Sequence, residues 1–367
     1  MVSIYELAFS KIYGVGFRVG NEILKHLTPE ELFTSSRTSL EALFGGRTRT
    51  INDILNKTMF AQCERELDFI IKNNVRSTFL THEDYPTRLK NIPDAPFCLF
   101  VAGRGNLNAN RMVAVVGSRN NTEYGRQMTE TIVEELQKLN AVVVSGLAYG
   151  IDAISHRAAL NRNIPTFGVL GHGLDTIYPK DNWELSQQMQ ETGGLVTECF
   201  TNTMITRFNF PQRNRIIAGL CDVVVVVEAA KKGGALLTAR LANDYNREVV
   251  AVPGRFGDEY SEGCNFLIES NRAHILSSVK TIAKLMDWNE RVTEVSLFTN
   301  EENISKGNEL RGPKHKIYKH LKIKGEMDID SLSVELSMGV NDLSASLLEL
   351  ELEDYVMAKP GRVYKAL

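Results

Sequence analysis

The chain lacks paired cysteines, long apolar runs and an excess of positive charge. Its five cysteines (Cys63, Cys98, Cys199, Cys221 and Cys264) are odd in number, scattered, and form no C-x-x-C pair. This argues against a disulfide framework or a zinc site and fits reduced thiols in a cytoplasm. No apolar run reaches the roughly 18 residues of a membrane span. Met1-Val2-Ser3-Ile4-Tyr5-Glu6 has no basic segment followed by an apolar one, so no secretory signal is expected. Those two absences make a cytoplasmic protein without a membrane partner the expectation. The formal net charge is −3 over 367 residues. No whole-molecule field advertises nucleic acid, so any such site must be a local patch. Hydrophobic content of 43% and charged content of 24% are ordinary for a globular chain long enough for two or three domains.

Several catalytic and cofactor signatures are also missing. No G-x-x-x-x-G-K-[ST] occurs, which argues against P-loop ATP hydrolysis. Gly117-Ser118-Arg119-Asn120-Asn121-Thr122-Glu123-Tyr124-Gly125 does not fit the dinucleotide pattern G-x-G-x-x-G. Gly171-His172-Gly173 fits it only in part, because Thr176 replaces the third glycine. Ser118 and Ser145 have no G-x-S-x-G elbow and no evident base, so they read as hydroxyl donors or caps rather than nucleophiles. No cofactor, metal or catalytic residue is expected.

What is present falls into regions of different texture. Residues 1 to about 80 show helical periodicity and few strand signals. Within them, Ile12-Tyr13-Gly14-Val15-Gly16 precedes a segment with Val19, Ile23, Leu24 and Leu27 on one side, like half of a helix-hairpin-helix. A plain helical turn fits equally well. From about 106 to 287, apolar runs alternate with amphipathic helices. Candidate strands are Val113 to Val116, Ala141 to Val144, Thr166 to Leu170, Leu195 to Thr197, Val223 to Val227, Val249 to Val252 and Ala273 to Leu276. Near-continuous Val/Ile/Leu marks strands buried on both faces, hence a parallel sheet covered by helices. The expectation is an α/β fold with an extended, doubly wound, mainly parallel sheet of Rossmann type over 81–287. A small helical domain over 1–80 precedes it.

Residues 288–312 are polar (Asn300-Glu301-Glu302-Asn303, then Lys306-Gly307-Asn308) and read as a linker. Over 313–367 the order is helix, helix-turn-helix, then a hairpin through Lys359-Pro360-Gly361-Arg362, the order of a winged helix. Its third helix carries Asp342, Glu349, Glu351 and Glu353. Acidic side chains repel phosphate, so protein contact or dimerisation stands beside DNA reading for this domain.

Loops at the carboxyl ends of the proposed strands carry the functional signal, because ligands of doubly wound sheets bind there. They hold Gly117-Ser118-Arg119, Ser145-Gly146-Leu147-Ala148-Tyr149-Gly150, Gly171-His172-Gly173, Lys231-Lys232-Gly233-Gly234, and Pro253-Gly254-Arg255. Glycine lets backbone approach an anion, and glycine-rich turns opening helices cradle phosphate. Phe210-Pro211-Gln212-Arg213-Asn214-Arg215 adds two arginines behind an aromatic ring, a combination that can stack bases and hold phosphates. Asp152 and His156, four apart, share a helix face and read chiefly as a structural pair. Glu228 ends an apolar strand, either as a solvated charge or as the positioner of an arginine.

Taken together these elements resemble the DprA/Smf family, the DNA-processing proteins of natural transformation. The resemblance rests on Gly117-Ser118-Arg119, Ser145-Gly146-Leu147-Ala148 with Gly150-Ile151-Asp152 and His156, and Tyr178-Pro179. It continues through Phe210-Pro211 with Arg213-Asn214-Arg215-Ile216-Ile217, then Glu228-Ala229, Thr238-Ala239, and Pro253-Gly254 with Gly263 and Asn265. It implies a dimer without catalytic turnover that binds and protects incoming single-stranded DNA and helps load the RecA recombinase. Carried onto this chain, it implies a phosphate site of Gly117, Ser118 and Arg119 with Gly146, Gly233 and Gly234. Arg213, Asn214 and Arg215 extend the groove, and Phe210 stacks a base. Two places depart from the family pattern. Gly233-Gly234-Ala235 stands where a Ser-Gly-Ser-like stretch is usual, and Arg272-Ala273 where Gly-Ala is usual.

The competing reading is a nucleotide phosphoribohydrolase like the LOG family, or a nucleotide-binding relative without turnover. The comparable stretch, Lys232-Gly233-Gly234-Ala235-Leu236-Leu237-Thr238-Ala239-Arg240, lacks that family's second-half glycine and catalytic glutamate.

Overall fold

The computed structural model describes residues 1–278, 280–288, 310–353, 355–359 and 362–366. It divides into two compact units, Met1–Glu290 and Arg291–Leu367. Most of the segment expected as a linker lies outside the described residues.

The first unit opens with α1 (Ile4–Phe9), α2 (Phe17–Leu24), α3 (Pro29–Thr34), α4 (Arg37–Phe44), α5 (Thr48–Asn56) and α6 (Phe60–Lys72). Capping explains where several begin. Ser3 and Thr28 accept from the backbone N–H of Glu6 and Glu31, whose carboxylates reach back to the cap N–H groups. Two short strands follow, β1 (Arg76–Phe79) and β2 (Cys98–Ala102), separated by α7 (Thr87–Lys90). Neither strand was expected from the sequence. They are antiparallel to each other, and β2 is antiparallel to a strand almost a hundred residues later. No local pattern encodes a partner that remote.

The parallel sheet then runs β3 (Met112–Val116), α8 (Glu123–Lys138), β4 (Val142–Ser145), α9 (Ile151–Asn161), β5 (Thr166–Val169), α10 (Trp183–Thr192), β6 (Gly194–Thr197) and α11 (Asn209–Leu220). It continues with β7 (Val223–Val226), α12 (Gly234–Asp244), β8 (Glu248–Ala251), α13 (Glu262–Glu269), β9 (His274–Ile275) and α14 (Thr281–Leu285). The strand order is β1-β2-β6-β5-β4-β3-β7-β8-β9, with β6 through β9 in that row parallel. The chain winds outward from β3 to β6, returns to the other side of β3, and winds outward again. The reversal lies between β3 and β7, which is where such folds open a crevice.

Burial confirms why these strands form. β3 and β7 are buried at every position, as strands covered on both faces must be. Their side chains alternate between two cores. Ala114, Val116, Val224 and Val226 join one cluster with α11, α12 and the helices of residues 1–72. Val113, Val115, Val223 and Val225 join the other with α8 and α9. At the amino end of the two strands, Asp222 accepts from Met112 N at 2.9 Å and pairs with Arg88 at 2.6 Å.

The second unit has α15 (Pro313–Lys324), β10 (Met327–Asp328), α16 (Ile329–Leu336), α17 (Val340–Leu352), and the hairpin β11 (Val356–Lys359) and β12 (Val363–Ala366). That is a winged helix, although the hairpin's turn at 360–361 lies outside the described residues. Leu310, inside the segment expected as linker, is buried in this unit's core. Lys314 on α15 pairs with Glu349 at 2.6 Å and Glu353 at 3.1 Å, so part of the acidic charge on α17 is neutralised internally.

His156 on α9 is fully buried, and its Nδ1 lies 2.7 Å from Thr166 Oγ1. The Thr166 hydroxyl gives its proton to Val143 O, so Nδ1 carries the imidazole proton and Nε2 stays unprotonated and unpartnered. Burial and the nearby Arg213 charge push its pKa down to about 3. The unfolded chain then takes up this proton first, and stability drains as pH falls from about 6.5 toward 3, at up to about 1.4 kcal/mol per pH unit. Urea unfolding at stepped pH should show this slope, and His156→Asn should remove it while the carboxylate contribution stays.

Candidate nucleic-acid interface

At the β3–β7 reversal lies a cleft of about 780 Å³, lined by Gly117, Ser118 and Arg119 after β3 and by Gly233 and Gly234 at the start of α12. Phe210, Arg213 and Asn214 of α11 and Tyr178 from the loop after β5 complete it. Glycine is required where its loops touch. Gly150 has φ +73°, and a Cβ there would sit 2.2 Å from Ser118 O. The close approach lets Ile151 N donate to Ser118 O at 3.1 Å, tying the loops after β3 and β4 together. Ser118 Oγ accepts from Asn120 N at 3.1 Å and keeps its own proton to donate.

One wall is a row of three side chains. The exposed Arg119 guanidinium stands 5.5 Å from the Phe210 ring centroid. Phe210 in turn lies 5.9 Å from the half-exposed Tyr178 ring at an interplanar angle of 39°. Such a row offers apolar ring faces to bases and a cation to phosphate. The sequence reading named Arg119 and Phe210 but not Tyr178 as a site residue. It also passed over Ile205, Thr206 and Arg207, which line the cleft ahead of α11. Arg207-Phe208, with its guanidinium 5.0 Å over the ring, repeats the cation-on-aromatic pattern two residues before Phe210 and was the available signal.

The two arginines of the Phe210–Arg215 run go to different places. Arg213 lines the cleft floor but is only 5% exposed, and its Nη1 donates to Gly146 O at 2.5 Å and to Val169 O. Burial pulls its pKa down to about 10, which leaves it a cation at neutral pH. Asp152, also buried, accepts from Gly146 N at 3.1 Å and Ala148 N at 3.4 Å. Burial raises its pKa against the attraction of Arg213. Gly146 is thus held by an acid on its N–H and a base on its carbonyl. A Cβ there would sit 2.5 Å from the guanidinium, so Gly146 lies beneath Arg213 rather than in the cleft. Arg215, two positions on, points away from the cleft. It donates to Asp94 O at 2.5 Å and Glu198 Oε2 at 2.5 Å, and lines a different cavity. Residues two apart on a helix face different ways.

Other expected groups prove structural. Glu228 is buried and positions no arginine. Its carboxylate accepts from Thr122 N at 2.9 Å and Thr122 Oγ1 at 2.5 Å, which anchors the cap of α8. Asp152 fixes the loop after β4, whereas His156 ties α9 to the start of β5. Ser145 Oγ donates to Val115 O at 2.6 Å. The loop bearing Arg255 lines a separate recess with Asp258 and Glu259. The cleft therefore keeps exposed arginines while its carboxylates, Asp152 and Glu228, are buried and hydrogen-bonded.

This separates bracing from binding. Arg213→Ala should cost about 3–5 kcal/mol of stability, because it leaves two buried carbonyls without their donor and removes the charge that offsets Asp152. Arg119→Ala should shift stability by no more than about 0.5 kcal/mol. Urea denaturation of the two variants measures both.

Residues 76–287 match the family described as DNA recombination-mediator protein A, and residues 307–362 match the DprA winged helix domain. Protein Smf of Synechocystis is 31% identical over 391 residues, covering 98% of each chain. The X-ray structure of DNA processing protein A from Streptococcus pneumoniae aligns with a TM-score of 0.68 at 31% identity, covering 78% of this chain and 99% of that one. DNA processing protein A from Helicobacter pylori, described for its single-stranded DNA binding mode, aligns with a TM-score of 0.53 at 31% identity, covering 59% and 97%. The family match spans more than half of the chain, runs through the strands that build the cleft, and extends into the winged helix: this protein belongs to the DprA/Smf family of DNA-processing proteins.

Proposed function

We propose that the cleft binds single-stranded DNA. In this reading the glycine loops and Arg119 take phosphate, and Phe210 and Tyr178 stack bases. The observation that carries it is the Arg119–Phe210–Tyr178 row beside glycine turns at the strand reversal. A recombination-mediator role in DNA processing follows from the family. We infer further that the chain shields incoming single strands during natural transformation, delivers them to the RecA recombinase, and works as a cytoplasmic homodimer. Among the described residues, no helix is long and apolar enough to cross a membrane.

Within the site, Arg119, Ser118, Gly117, Gly233, Gly234 and Asn214 are the phosphate-facing groups. Arg213 supplies positive potential from below while bracing the floor, and Gly146 serves the site only through that brace. Arg215 carries no direct contact in this reading. A nucleotide-hydrolysing activity would need a free carboxylate base. The cleft's Asp152 and Glu228 are both occupied by backbone or threonine donors, so we read the site as one that binds without turnover.

Anisotropy titration with labelled oligothymidylate tests this directly. Phe210→Ala should weaken binding by about 1–3 kcal/mol, the worth of one stacked base. Arg119→Ala should weaken binding to all sequences and lower the salt slope by about 0.7, the counterion release of one phosphate contact on a single strand. Full affinity in both variants would remove the assignment. Release of free base from AMP would favour hydrolysis instead. Faster RecA filament formation on a covered single strand, lost with Arg119→Ala, tests the mediator role.

A further inference from the structure

A second cavity, of about 760 Å³, lies on the other side of α11 within the same unit. It adjoins the cleft, with Pro211 and Leu237 forming a wall of both. The segment leading into α11 also borders both. Ile205, Thr206 and Arg207 line the cleft, while Thr203 and the first residue of α11, Asn209, line the second cavity. Phe208, between them, is 65% exposed. The separating ridge thus carries a bare aromatic ring with a guanidinium over it.

The chemistry of the second cavity differs from that of the cleft. Its carboxylates are already satisfied, Glu198 by Arg215 and Asp94 by the Tyr245 hydroxyl at 2.6 Å. Among its described lining residues, Lys11 is the cation without a carboxylate partner. It is exposed, with Nζ 3.8 Å from the Phe200 ring centroid. The half-buried Phe17, backed by the buried Phe97 ring at 6.3 Å, supplies aromatic surface, and the exposed Gln212 supplies an amide. The lining sets two carboxylates, Asp94 and Glu198, against two cations, Arg215 and Lys11. Aromatic surface beside one exposed ammonium, with no net positive charge, suits a base and its phosphate rather than an isolated anion.

We propose that this cavity is a second subsite for the same strand. The DNA leaves the glycine cleft across the Pro211 ridge, past Phe208, and places its next nucleotides before Lys11 and Phe17. This rests on the cleft binding single-stranded DNA. It makes the helices of residues 1–72 part of the DNA footprint and gives the chain a length preference that the cleft alone would lack.

The test is anisotropy titration of the full chain with oligothymidylates of graded length. Wild-type affinity should rise with length in two stages. Lys11→Glu should leave the shortest bound oligomer within about twofold of wild type and weaken the longest about tenfold, with a shallower salt slope only for the long one. Arg119→Ala should weaken every length. As a check that needs no variant, a photoreactive thymine moved along a long oligomer should cross-link to Phe210 or Tyr178 at one position. Several nucleotides away, it should cross-link to a peptide containing Lys11 or Phe17. An equal effect of Lys11→Glu at all lengths, or none at any length, overturns the subsite, as do cross-links confined to the cleft. Absence of binding by wild type at every length instead removes the cleft reading itself.

Discussion

The Arg213 guanidinium holds the floor of the cleft together. It sits where α11 crosses the carboxyl ends of β4 and β5, and takes one backbone carbonyl from each side of that junction. Burying a cation is costly unless its donors are satisfied, and here the Gly146 and Val169 carbonyls and the Asp152 charge do so. The orientation of α11 follows from this, and with it the placement of Phe210 against Arg119. Both carbonyls are met by the two N–H groups of one nitrogen, Nη1, which the planar guanidinium holds at a fixed angle. The positive potential under the cleft and the rigidity of its floor thus come from one side chain, and free solvent exposure would weaken both.

Much of the architecture was legible in the sequence, for physical reasons. Val223 to Val227 is unbroken β-branched chain, and its observed strand is buried at every position. Thr166 to Leu170 reads as a strand, and the observed one covers Thr166–Val169. Gly150 marked a turn because a residue with positive φ in van der Waals contact with another loop can hardly be anything else. β1 escaped notice because Arg76-Ser77-Thr78 carries little apolar signal, and β2 because its partner β6 lies almost a hundred residues on. The side-chain roles were harder still. Arg213 and Arg215 look alike in sequence, yet one is a buried brace and the other an ion-pair partner of Glu198. Glu228 reads in sequence as a solvated charge or the positioner of an arginine, and the fold gives it Thr122 instead.

The two units divide their electrostatics differently. In the first, exposed arginines gather at one cleft while the carboxylates nearby are buried and bound. In the winged helix, Lys314 meets Glu349 and Glu353, and Lys359 meets Glu326. Part of that unit's charge is thus paired internally. This division lets a chain of net charge −3 hold a locally cationic cleft.

The contact of Asp222 with Met112 and Arg88 lies at the opposite end of β3 and β7 from the cleft. Both strands are apolar on both faces, so a slip of one residue would still bury valine against valine. Side-chain polarity therefore cannot choose their alignment. A polar clasp at the far end can, since only one pairing puts Met112 N opposite the Asp222 carboxylate. A slip would shift Gly117 against the Gly233 turn by about 3.3 Å, the rise of one strand residue, and split the cradle. The accuracy of the cleft is thus set a full strand length away, by a carboxylate that no strand of DNA would ever meet.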